Sequence, residues 1–77
     1  MRHKIRIENE EMTYGAKTMT SFDDLERGVS GLVVDHPVGA EVFYEGGPQL
    51  SVTLAKSLLA ADDRAVVPST GRFPDPS

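Results

Sequence analysis

Two stretches of alternating apolar residues limit this chain more than any other feature. Ile5 and Ile7 share one parity, while Lys4, Arg6 and Glu8 take the other. After Asn9-Glu10 the pattern resumes with Met12, Tyr14 and Ala16. Further on, Ala40, Val42 and Tyr44 share a parity, as do Leu50, Val52 and Leu54. Period-two alternation marks half-buried strands, so two hairpins are expected. In the second, pairing Tyr44 with Leu50 sets Val42 opposite Val52 and Ala40 opposite Leu54 around Glu45-Gly46-Gly47-Pro48-Gln49. Glycine admits positive φ in such a loop, and proline cannot continue a central strand. In the first, a two-residue Asn9-Glu10 turn sets Ile7 opposite Met12 and Ile5 opposite Tyr14. It also sets Glu8 opposite Glu11, a mildly destabilising pair that a four-residue loop relieves.

Between the hairpins the spacing changes. Phe22, Leu25, Val29, Leu32 and Val33 recur at intervals of three and four, which draws one stripe on a helix. Thr20 or Ser21 can cap it, with Asp23 or Asp24 at capping-box distance and favourably placed against the helix dipole. Gly28 and Gly31 each cost about 1 kcal/mol relative to Ala inside a helix, and Pro37 ends it. An amphipathic helix is therefore expected from Thr20 or Ser21 through this stripe, or one that frays after Arg27. Residues 55–61 fit a strand extension, a bulge or one helical turn. Asp62-Asp63 reads as a turn and 64–67 as a last short strand.

One helix on one face of a mainly antiparallel sheet of four to five strands gives a two-layer α+β domain, ββαββ(β), over residues 1–67. Its expected core is Ile5, Ile7, Met12, Tyr14, Phe22, Leu25, Val29, Leu32, Val42, Tyr44, Leu50, Val52 and Leu54. Residues 68–77 hold three of the chain's five prolines and read as an irregular tail outside the core. With 77 residues, such a core supplies roughly 3–5 kcal/mol. The absence of cysteine removes disulfides and thiolate metal sites.

Chemistry is sparse. His3 lies in a strand and His36 precedes a proline; neither has a nucleophile at a fixed spacing, and Asp35 and His36 point apart on an extended chain. No His-x3-His or carboxylate-loop spacing suggests a metal, and no cofactor is expected. Glu8, Glu10 and Glu11 read as a solvated turn. Gly46-Gly47 lacks the lysine and helix of a phosphate loop. A net charge of −4 argues against nucleic acid, although Arg2, Lys4, Arg6 and Lys17 make a local basic patch. No apolar run reaches the length of a membrane span, and the basic N-terminus is not followed by a signal-peptide apolar stretch, so a cytoplasmic protein is expected.

The middle of the chain has one family resemblance. Met-Thr-Ser-Phe-Asp-Asp-Leu-Glu, ending at Glu26, matches a "Ser/Thr-x-x-Glu/Asp-Leu" helix start. Gly47-Pro48-Gln49-Leu50-Ser51-Val52 matches a "Gly-Pro-x-Leu-x-Val/Ile" strand. Over about residues 3–67 the chain resembles small immunity proteins of polymorphic toxin systems, of the actinobacterial type. It lacks the C-terminal helix and Trp-containing end usual in that family. The resemblance implies a protein that binds and neutralises another protein. The expected function is thus that of a small acidic, non-enzymatic bacterial or phage-encoded inhibitor or modulator of a toxin or host protein. Contact is expected at Phe43 with Glu41, Glu45 and Thr53, or at the acidic helix face of Asp23, Asp24 and Glu26. One alternative is a structural homo-oligomer using the open sheet face and strand edges. A second is a regulator that contacts nucleic acid through the basic strand.

Overall fold

A computed structural model describes residues 2–46 and 49–76. The first hairpin joins β1 (His3–Ile7) to β2 (Glu10–Thr18) through Glu8-Asn9, with Glu8 in the left-handed region at φ 55°. Its register pairs Ile5 with Met12 and Ile7 with Glu10. That is two residues from the register built on an Asn9-Glu10 turn. A shift of two preserves side-chain parity, so the apolar faces still match. The slip removes the Glu8–Glu11 repulsion and sets Glu11 opposite Arg6, with Lys4 Nζ 3.4 Å from Glu11 Oε1. It also carries Glu10 onto the inward parity of Met12 and Tyr14.

The expected helix is absent. Among the described residues every regular element is a strand, so the α+β assignment is replaced by an all-β fold. Residues Ser21–Glu26 form β3, antiparallel to β2, with Tyr14 opposite Leu25 and Lys17 opposite Phe22. In a regular strand, residues three apart face opposite ways. Asp24 has φ 52°, and this left-handed residue turns Leu25 back to the side of Phe22, so both are buried. A spacing of three, read as a helical stripe, is thus met by a kinked strand. Gly28 and Gly31 adopt φ of 68° and 96°, which a helix excludes. Val29 and Leu32, expected in the core, are exposed on the segment that follows β3.

The second hairpin keeps the expected register: β4 (Glu41–Tyr44) pairs with β5 (Ser51–Thr53), Val42 opposite Val52. Gly47 and Pro48 of its loop lie outside the described residues. Residues 55–61 are irregular, with one isolated bridge between His36 and Leu58. Ala65–Val66 form β6. The six strands run β5-β4-β1-β2-β3-β6 in a curled half-barrel. Its edges meet where Ala55 N donates to Val66 O at 2.7 Å.

The last residues are irregular, and they belong to the core. Phe73 is 5% exposed and Thr70 is fully buried. The Phe73 ring stands 5.0 Å from Phe22 and 6.1 Å from Tyr44. Tyr14 touches Phe22 at 4.9 Å, and His3 lies 5.9 Å from Tyr14 and 6.0 Å from Tyr44. The five rings close a circle at this end of the half-barrel. Tyr14 Oη donates to Pro74 O at 2.6 Å, and burial together with Tyr44 and Asp75 pushes the Tyr14 hydroxyl pKa up. A radius of gyration of 10.7 Å, against about 11–12 Å for a compact chain of this length, agrees with a folded-in tail. Replacement of Phe73 by Ala is expected to cost about 3–5 kcal/mol, read as a fall in the urea midpoint. An unchanged midpoint would show that the tail is not part of the core.

Candidate functional site

At the end of the half-barrel opposite the aromatic circle lies a buried ionic cluster. Glu10 has no exposed surface, and the same is true of the His36 side chain. Arg27, just past β3, meets Glu10 with two parallel bonds: Nε to Oε2 at 2.7 Å and Nη2 to Oε1 at 2.8 Å. Its other N–H groups reach main-chain oxygens. Nη1 donates to Leu59 O at 2.6 Å and Asp62 O at 2.9 Å, and Nη2 to Val34 O at 2.8 Å. All five guanidinium donors are thereby used. Lysine, with three donors on a point charge, could not reproduce this fork.

Glu10 is equally saturated. Besides Arg27 it accepts from Gly28 N at 3.2 Å and Val34 N at 3.3 Å. His36 Nε2 stands 2.8 Å from Glu10 Oε1, and Nδ1 stands 2.7 Å from Glu8 Oε1. Burial alone would raise the Glu10 pKa. The bonds from Arg27, His36 and Val34 outweigh it and lower the value from 4.5 to about 2.

The cluster fixes a long irregular segment, residues 27–39. Its main chain is tied down by Val29 N to Glu11 O at 3.0 Å, by paired bonds between His36 and Leu58 at 2.7 and 2.9 Å, and by Gly39 N to Leu54 O at 2.8 Å. Gly31 N closes a turn on Gly28 O at 2.8 Å. A Cβ on Gly28 would meet Val33 Cγ2 at 2.5 Å in an already left-handed residue, which favours glycine there. With the backbone held from beneath, the side chains of Val29, Leu32, Val33 and Val38 stand outward; Val33 is 44% and Val38 61% exposed. The neighbouring 55–62 segment adds Leu59 at 50%. Asp35 Oδ1 accepts from Ala60 N at 2.7 Å, which ties the two segments together, and Asp62 Oδ2 accepts from Leu59 N at 2.9 Å within the second.

The residues first expected at a contact lie elsewhere. Phe43 is half-buried with the Arg6 guanidinium 5.0 Å above its ring, and Arg6 also pairs with Glu45 at 3.2 Å. Glu41 and Thr53 face each other, exposed, across β4 and β5. Asp23, Asp24 and Glu26 lie on β3 and not on a helix. Asp23 pairs with Arg64, and Arg2 pairs with both Asp24 and Glu26. The basic residues Arg2, Lys4, Arg6 and Lys17 are each in an ion pair. Glu10 is hard to find in the sequence because an acidic run at a turn reads as solvated, and neither Arg27 nor His36 stands at a fixed spacing from it. The available signal was parity: with the turn at Glu8-Asn9, Glu10 falls in line with Met12 and Tyr14.

No known protein family, curated protein or solved structure matches this chain. Among the described residues no helix is long and apolar enough to cross a membrane, and no cluster could hold a metal ion.

A carboxyl group held at about 2 when folded and 4.5 when unfolded stabilises the fold above pH 4.5, and that contribution is lost as pH falls toward 2. The span corresponds to about 3 kcal/mol. Urea midpoints measured from pH 7 to pH 2 should fall across this window more steeply for the native chain than for Glu10→Gln. Parallel profiles would contradict the burial of an ionised Glu10.

Proposed function

We propose that this is a small acidic, non-enzymatic binding module that acts by docking on a protein partner and blocking or modulating that partner's surface. The carrying observation is the apolar segment of residues 27–39, held outward on a buried ion cluster. Loose loops do not present a fixed apolar surface, because ordering them on contact costs conformational entropy. Here the main chain is already fixed at Gly28, Val29, Val34, His36 and Gly39. Exposed apolar residues gathered on one surface are characteristic of interaction sites.

Saturation of the cluster supports the non-enzymatic reading. The oxygens of Glu10 and the nitrogens of Arg27 already have partners, which leaves none of them to act on a substrate. An immunity-type role, in which the partner is a toxin or a host protein, is one form of this reading. The Met19–Glu26 stretch quoted for that resemblance forms the turn into β3 and β3 itself.

The test compares the native chain with Val33→Asp and with Phe43→Ala as baits in extract from its source cell, after circular dichroism confirms that all three are folded. A protein retained by the native chain and by Phe43→Ala, and lost with Val33→Asp, is the expected result. Equal retention by all three baits would refute the assignment of the 27–39 segment as the binding surface.

A further inference from the structure

Resting on the reading that the 27–39 segment is a docking surface, the charge distribution says what occupies it. The chain's cations are mostly committed. Arg2, Lys4, Arg6, Lys17 and Arg64 form ion pairs on the strands or with the C-terminal residues, and Arg27 is taken up by Glu10. Among the described residues, the acids outside any ion pair are Asp35, Glu41, Asp62 and Asp63. Asp35, Asp62 and Asp63 belong to the two segments that carry Leu32, Val33, Val38 and Leu59. Between Gly28 and Asp63 the only lysine or arginine is Lys56. Three of these four acids, against the single lysine Lys56, therefore lie on the two segments that carry the exposed apolar side chains.

We infer that this surface is completed by a protein partner whose contact face has an apolar centre ringed by lysine or arginine. A second copy of the chain fits poorly. It would bring the same acids to the same rim, and like charges set against each other oppose association. Among the described residues, the lysines and arginines it could offer outside ion pairs are Lys56 and Arg72, one of them on the surface itself. A basic rim on a different protein meets the acids directly, speeds encounter at low salt and leaves the apolar centres to supply the buried area.

The test uses three synthetic helical peptides as probes of the intact chain: one of leucine and lysine, one of leucine and glutamate in the same pattern, and one in which serine replaces leucine and lysine is kept. Backbone amide shifts report the site, and ultracentrifugation of the chain alone reports self-association. The leucine–lysine peptide should shift Val29, Leu32, Val33, Leu59 and their neighbours, with the other two peptides much weaker. Asp35→Asn with Asp62→Asn and Asp63→Asn, which keeps the side-chain oxygens that accept from Ala60 and Leu59, should weaken it roughly tenfold. The chain alone should sediment at its monomer mass of 8.4 kDa. Equal shifts from the leucine–glutamate peptide, shifts centred on other surfaces, or a dimer closed through Val33 would each overturn the inference. If no peptide acts here while Val33→Asp still loses its protein from extract, the basic rim is wrong and the docking surface stands.

Discussion

The carboxylate of Glu10 is the point on which the rest of this structure depends. It sits on the inward face of β2, where a charge would be costly if left alone. Arg27, His36 and two main-chain N–H groups answer it, and each of them belongs to a segment that has no sheet ladder of its own. One buried group thereby replaces the regular hydrogen bonding that residues 27–39 lack. Breaking a buried pair of this kind costs about 3–5 kcal/mol, whereas replacing both partners by well-packed apolar residues can be neutral. Its value therefore lies in specifying one arrangement of the segment, with its valines and leucine pointing outward.

The two ends of the half-barrel are closed by different means. At one end five aromatic rings, with Phe73 arriving from the C-terminal residues, close a circle over the core. At the other lies the ion cluster, whose Glu10 stands opposite Ile7, with the 27–39 segment tied to it. Curling the sheet on itself lets one set of inward residues face one another, and the irregular segments need only cover the ends.

The sequence shows some of this directly. The register of the second hairpin follows from parity together with the position of its glycine- and proline-containing loop. In the first hairpin parity identifies the buried face, and nothing in it separates registers two residues apart. That ambiguity hid Glu10, because the neighbouring register leaves it in a turn. Phe22 and Leu25 are a harder case. Their spacing fits a helix and equally a strand kinked at Asp24, and only pairing with β2 decides between them. Gly28 and Gly31, weak objections to a helix taken singly, are in fact the left-handed residues that shape the exposed segment. Phe73 stands among prolines that read as an irregular tail, and it is the one large apolar residue there.

The most direct test of this arrangement is native-state amide hydrogen exchange at Gly28 and Val34, the two main-chain N–H groups that donate to Glu10. If the buried carboxylate holds the 27–39 segment, both amides exchange far more slowly than free peptide and approach the protection of β1 and β2. Exchange of both at the rate of an unstructured loop would contradict it.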